Sequence, residues 1–248
     1  MSEEIRVRLD LSYGQAPTQA VDIFCPDGVD DEAPLLVLLH GGWWRSGRRQ
    51  DLHSTALHLA GSGHPCAAIG YRLLEQAGDG TGIVDDLRAG IDRALEEISI
   101  LGGTDRCVVI LAAGAAAIPA LALAGSTKRN FTVRGVTTCG AAPTLTAWDN
   151  CPDDIARQLQ TFAGVHADSL DPMELDPEVF PPVLLIHGDA DSEVPVQPAR
   201  AFYRALLEAD DPAQLAILAG AGHHILDEPH TRGGHDALER IRAWLKDV

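Results

Sequence analysis

The stretch VVILAAGAAAIPAL, residues 108–121, runs a buried strand through a small-residue turn into a helix. A turn of that kind displays its central residue at the strand's C-terminal end. Here the five turn positions, Ala112, Ala113, Gly114, Ala115 and Ala116, carry neither hydroxyl nor thiol. Later segments do carry chemistry. HGDADSEVP (187–195) is an acid loop with Asp189, Asp191 and Glu193, and GAGHH (220–224) is a histidine loop. Each follows an apolar run, and an acid loop before a histidine loop is the chain order of a pair serving a group earlier in the sequence. A carboxylate-held histidine is a general base near neutral pH whether or not a serine is present. HGGWWRSG (40–47) has two glycines after a buried strand, which lets the backbone turn sharply and expose N–H groups. Cys139, in TTCGAA at another strand end, is a replacement nucleophile or a buried inert thiol. His223, His224, Asp227, Glu228 and His230 lack the H-x-x-x-H or H-E-x-x-H spacing of a helical metal site, and no metal or other cofactor is expected.

These loops need strands to present them. IRVRLDLSYG and AVDIFCP alternate between turn residues and read as an antiparallel start. PLLVLLHGG is a continuous apolar run, as suits a strand buried on both faces. HPCAAIGYRL, RCVVILAAG, FTVRGVTTCGA, PPVLLIHGDAD and AQLAILAGAGHH are further strands. DLHSTALHLAGSG, residues 83–98, AAAIPALALAG, PARAFYRALLEAD and GHDALERIRAWLKD are helices, the second with Ile83, Leu87, Ile91, Leu95 and Ile98 on one stripe. Strand and helix alternating in this way predict an α/β fold: a mostly parallel central sheet of about eight strands with helices on both faces. Residues 1–248 read as one domain. Residues 143–178 break the rhythm between two strand ends and read as a small cap, because Trp148, Leu159 and Phe162 favour burial.

Composition narrows the partners. Of 248 residues, 46% are hydrophobic, enough for a sizeable core, and the formal net charge is −17. An acidic surface disfavours nucleic acid and anionic membranes. No apolar run reaches the roughly 18 residues that span a bilayer. MSEEIRVRLD lacks the basic flank and apolar core of a signal peptide. Five widely spaced cysteines fit reduced thiols better than disulfides, so a cytoplasmic location is expected. The expected partner is a small-molecule substrate, and the sequence leaves homodimerisation open.

Together the three loops resemble the α/β-hydrolase superfamily, most closely its small-esterase and kynurenine-formamidase-like branch, over about residues 30–245. HGGWWRSG is similar to that branch's H-G-G-x-W oxyanion loop. HGDADSEVP matches its H-G-x-x-D-x-x-V-P acid loop, and GAGHH its histidine loop. The resemblance implies Asp191 as the acid and His223 as the histidine, with His224 the neighbouring alternative. It implies an oxyanion hole from the Gly41–Gly42–Trp43 turn and Ala115; of Trp43 and Trp44 one is expected in the core and one at the pocket, with Trp44, Cys139 and His224 the pocket candidates. The departure is the nucleophile elbow, G-x-S-x-G, where Gly114 occupies the serine position. Glycine adopts the elbow's strained backbone conformation without the roughly 1–3 kcal/mol that a residue with a side chain would pay, so the turn can outlast its hydroxyl.

Three functions follow from these residues. The first is a serine-less enzyme acting on a small carbonyl compound by His/Asp general-base catalysis, through cyclisation, lyase- or isomerase-type chemistry or direct water attack. The second is a non-catalytic pseudohydrolase that binds a ligand or partner. The third is an esterase or formamidase whose serine was replaced by engineering; alanine or glycine at all five turn positions favours a naturally serine-free turn over that reading.

Overall fold

The computed structural model describes residues 4–30, 33–102 and 106–248. Residues 1–3 of the N-terminal segment read above lie outside them. Strands β1 (Ile5–Ser12) and β2 (Ala20–Pro26) open the chain, followed by β3 (Leu35–Leu39). A 3-10 turn, Arg49–Leu52, leads into α1 (His53–Ala60), then β4 (Cys66–Ile69), α2 (Leu74–Ala77) and α3 (Gly80–Ile100). Strand β5 (Cys107–Ala113) passes through the 3-10 turn Gly114–Ala116 into α4 (Ala117–Gly125), followed by β6 (Thr132–Cys139). The excursion holds α5 (Asp153–Ala163), α6 (Ala167–Leu170) and the 3-10 turn Pro177–Val179. Strand β7 (Val183–Gly188), α7 (Gln197–Glu208), β8 (Ala213–Leu218) and α8 (Arg232–Trp244) complete the order.

The strands form one eight-stranded sheet, ordered β1-β2-β4-β3-β5-β6-β7-β8. Strand β2 is antiparallel to β1 and β4, and β4 through β8 pair in parallel. The continuous apolar strands explain the layers. With a side-chain period of two, Leu35, Val37 and Leu39 face one layer, where α3, α4 and α7 pack. Leu36 and Leu38 face the other, against α1 and α8. Each fully buried leucine of this kind contributes about 1.5–3 kcal/mol.

Topology then dictates where a ligand can sit. From β3 the chain moves to β4 on one side and later to β5 on the other, so the loops leaving β3 and β5 diverge. A crevice opens at such a switch point, at the strand C-termini. Residues 40–47 leave β3 there, and Gly114 leaves β5.

Two helices start earlier than their apolar stripes suggest. Helix α3 begins at Gly80 because Asp79 caps it, accepting from the N–H groups of Thr81 and Gly82. Thr231 caps α8 by accepting from Gly234 N–H at 3.0 Å. Within 143–178, Leu159 and Phe162 are buried and Trp148 is half-buried. Among the described residues, no helix is long and apolar enough to cross a membrane.

Candidate active site

Asp191 sits in the turn after β7 and is fixed from three sides. Its Oδ1 accepts from the main-chain N–H groups of Glu193 and Val194, both at 2.9 Å. Its Oδ2 accepts from His223 Nδ1 at 2.9 Å, and the side chain is 1% exposed. Burial alone would raise this carboxyl. The His223 hydrogen bond and the two main-chain donors outweigh it and hold Asp191 below the usual carboxylate range. With Nδ1 bound to Asp191, the ring of His223 directs Nε2 away from the acid.

That nitrogen faces position 114. Gly114 has φ +50°, and a Cβ built there would lie 3.4 Å from His223 Nε2 and 3.7 Å from Cε1. The turn at Gly114 therefore directs bare backbone at the His223 ring. A second glycine is equally constrained. Gly140 follows β6 with φ +60°, and a Cβ there would lie 2.9 Å from His223 O and 3.2 Å from His223 Nδ1. The acid–histidine pair packs directly onto that bare backbone.

The loop after β3 is held in an uncommon shape. Gly42, Trp43 and Trp44 all have left-handed backbones, with φ of +98°, +53° and +58°. Each left-handed residue with a side chain costs about 1–2 kcal/mol. The surroundings hold the loop in this form: Leu74 N–H donates to Trp44 O at 2.7 Å, and the Trp44 ring stacks on Phe162 with centroids 3.9 Å apart. Trp44 is fully buried and does not line the cleft, which corrects the expectation of a pocket residue: its ring points into the core. Trp43 is half-buried and reaches Trp148 of the excursion at 6.0 Å between centroids.

His40, Gly41, Gly42, Gly114, Cys139, His223 and His224 line a cleft of ≈ 210 Å³. Ser46, Asp51 and Asp227 also line it, and none of its lining residues is Lys or Arg. None comes from 143–178, so that segment packs on the Trp43–Trp44 loop rather than across this cleft. Ala115 lies in the first turn after Gly114, where main-chain N–H groups have no partner within the helix. His40 is 3% exposed, stacks on Tyr71 and bonds Gly41 O at 2.9 Å, which makes it a brace for the turn. Burial lowers its pKa and keeps it neutral.

The two adjacent histidines separate cleanly. His223 joins Asp191, whereas His224 is 54% exposed and bonds Asp227 at 2.8 Å. Partial burial opposes the charge on His224, but Asp227, Glu193 and Glu228 prevail and raise its pKa. The Cys139 thiol lines the cleft, but burial, with a contribution from Asp227, pushes it up to about 12. It is protonated at neutral pH and a poor nucleophile.

Sequence reasoning missed His187. It is 1% exposed, bonds Val194 O through Nε2 at 2.9 Å, and its Nε2 lies 3.4 Å from Asp191 Oδ2. Burial lowers its pKa against the pull of Val194 O and Asp191, so it braces the acid turn as a neutral ring. The available signal was the four-residue step from His187 to Asp191 inside the acid loop.

Known proteins resemble this chain in sequence and in fold. The sequence profile of the prolyl oligopeptidase family matches residues 154–248, the part that holds the acid and histidine loops. An isoprenylcysteine alpha-carbonyl methylesterase of Arabidopsis thaliana is 24% identical, covering 94% of this chain and 60% of that protein. A kynurenine formamidase of Danio rerio is 26% identical over 99 residues, 40% of this chain and 33% of that protein. The chain thus spans only one to two thirds of the length of these curated relatives. The crystal structure of esterase B from Lactobacillus rhamnosis superposes with a TM-score of 0.83 at 20% identity, covering 98% of this chain and 85% of that one. The chain has the α/β-hydrolase fold, and its relatives are esterases and hydrolases.

Proposed function

We propose that the protein is a serine-less enzyme of the α/β-hydrolase fold that acts on a small carbonyl compound. His223, oriented by Asp191, is the general base. Main-chain N–H groups of the Gly41–Gly42–Trp43 turn and of Ala115 stabilise negative charge on the substrate oxygen. One observation carries the reading: His223 Nε2 is aimed at position 114 while its Nδ1 is bound to Asp191, and residue 114 is glycine. A base placed there takes a proton from carbon, hydroxyl or water, and none of these steps requires an acyl-enzyme. A positioned base supplies about 10²–10⁴-fold, and an oxyanion donor about 10²–10³-fold.

The names of the relatives, a methylesterase and a formamidase, support a carbonyl substrate. The cleft volume of ≈ 210 Å³ supports a small one. Asp51 and Asp227 without any Lys or Arg in the lining favour a neutral or cationic molecule over an anion. The five free cysteines fit a reducing, cytoplasmic setting.

The hydroxyl-free turn also favours a second reading, a pseudohydrolase that only binds. Screening small carbonyl metabolites for thermal stabilisation, then for turnover by wild type and His223→Ala, separates the two. Turnover lost in the variant supports the enzyme. Stabilisation without turnover across the screen supports the pseudohydrolase.

A further inference from the structure

We propose that the space over Gly114 beside His223 Nε2 is the seat of an attacking water, so that the reaction is one-step hydrolysis of a small acyl compound. The proposal rests on the assignment of His223 as base and specifies what that base deprotonates. A Cβ at Gly114 would find only His223 Nε2 and Cε1 within 4 Å beyond its chain neighbours, at ordinary contact distances. The position a seryl oxygen would take is therefore open toward the base, and it belongs to a cleft of ≈ 210 Å³, ample for a water and a small ligand together. In the neutral tautomer that donates from Nδ1 to Asp191, Nε2 carries the lone pair that accepts the proton. Water can fill that position while the left-handed turn at Gly114 keeps the geometry of the elbow.

The other cleft groups able to act as nucleophiles are otherwise engaged, the Asp51 carboxylate with Arg48 and the Asp227 carboxylate with His224. Ser46 Oγ donates to Gly42 O at 3.2 Å. Cys139 is a buried thiol, and His224 is bound to Asp227. Water is thus the nucleophile within reach of the activated nitrogen. As its oxygen bonds to the acyl carbon, one O–H proton passes to His223 Nε2 and the carbonyl π pair moves onto oxygen. Collapse of the tetrahedral intermediate re-forms C=O and expels the leaving group, which recovers the proton from Nε2. The balance is R–CO–X + H2O → R–COOH + HX, with nothing oxidised or reduced.

The experiment uses the full chain and p-nitrophenyl acetate. Wild type is expected to turn the ester over without a burst and without a mass increase on the protein. Acetate formed in ¹⁸O-water carries one solvent oxygen, and His223→Ala lowers the rate at least about 10²-fold. Gly114→Ser, with folding checked by thermal melting, is expected to gain a fluorophosphonate adduct at residue 114 that Gly114→Ser/His223→Ala does not form. An acetyl adduct on Ser46 or Cys139 during wild-type turnover overturns the proposal, as does a folded Gly114→Ser that resists the probe. His223-dependent proton exchange or bond cleavage on a carbon acid, with no ester hydrolysis, overturns the water seat but leaves the general base standing. Equal rates in wild type and His223→Ala overturn both.

Discussion

Among the described residues, the buried aspartates Asp22 and Asp191 each receive a histidine, and they are built to opposite ends. Asp22 and Asp191 both have side chains 1% exposed. At Asp22, on β2, the histidine partner His53 offers Nε2 at 2.8 Å, and Arg49 Nε reaches the same oxygen at 2.8 Å. Asp10 N–H completes the shell at 2.7 Å, and Arg49 also pairs with the Asp10 carboxylate. The carboxylate is neutralised by a guanidinium and the histidine has turned its far nitrogen inward. At Asp191 the shell contains no Arg or Lys among the described contacts. The histidine binds through Nδ1 and leaves Nε2 facing the cleft. The first arrangement stabilises a strand and a helix start; the second leaves a reactive atom exposed. The orientation of the ring and the absence of a competing cation separate the two, not the residue types.

The largest effect expected from breaking this contrast is catalytic. His223→Ala should lower turnover about 10²–10⁴-fold while leaving ligand binding nearly intact, whereas His53→Ala should leave turnover unchanged. Steady-state kinetics on a substrate found by screening, with binding by calorimetry, checks both. Next comes a stability effect confined to the other pair. Arg49→Ala leaves Asp22 buried without its cation and should cost about 3–5 kcal/mol in denaturant unfolding. Its effect on the folded protein's turnover should be small.

Gly140→Ala sharpens the comparison from the backbone side. Its methyl enters within 2.9 Å of His223 O at a left-handed position. A cost of about 1–2 kcal/mol from the backbone alone is expected, together with a lower kcat, because the pair is displaced. Kinetics with a melting curve separates the two. The smallest expected effect is a pH dependence of stability. His187 and His40 have lowered pKa values in the fold, so the unfolded chain binds their protons first on acidification. Their contribution is fully present above the ordinary histidine pKa of about 6.5 and is lost as pH falls below it toward the folded values. The slope is at most about 1.4 kcal/mol per pH unit for each histidine. Urea unfolding between pH 7 and 5 should be less steep in pH for His187→Gln.

Much of this is legible in the sequence. Continuous apolar strands such as Leu35–Leu39 and the amphipathic stripe of α3 announce a doubly covered sheet by period alone. Chain order brings the acid and histidine loops to neighbouring strand ends. What stayed hidden is what only tertiary packing decides. Nothing in WW says that Trp44 turns into the core while Trp43 stays half-buried, because Phe162 lies far along the chain. The choice of His223 over His224 depends on which ring the β8 loop turns toward Asp191. Asp79 and Thr231 were readable as caps from their residue types, yet the apolar stripes drew the helix starts inward. The excursion's amphipathic α5 was readable as buried, but its place beside the Trp43–Trp44 loop rather than across the cleft was not.

The stack of Trp44 on Phe162 has a consequence for how the site is assembled in time. The turn at Gly114 joins β5 to its own following helix and can take shape from local chain alone. The left-handed run Gly42–Trp44 has local hydrogen bonds, from the N–H groups of Arg45 and Ser46 to Gly42 O, but the seat of the Trp44 ring lies farther along the chain. Part of its support is a ring on α5, which the chain supplies only after β5, α4 and β6. Contacts of such long sequence separation form late, because their loop closure is costly until the intervening sheet exists. The seating of the Trp44 ring is therefore expected to be among the last steps in forming the loop beside the cleft. Substitutions at Phe162 should slow the maturation of the cleft more than the formation of the sheet.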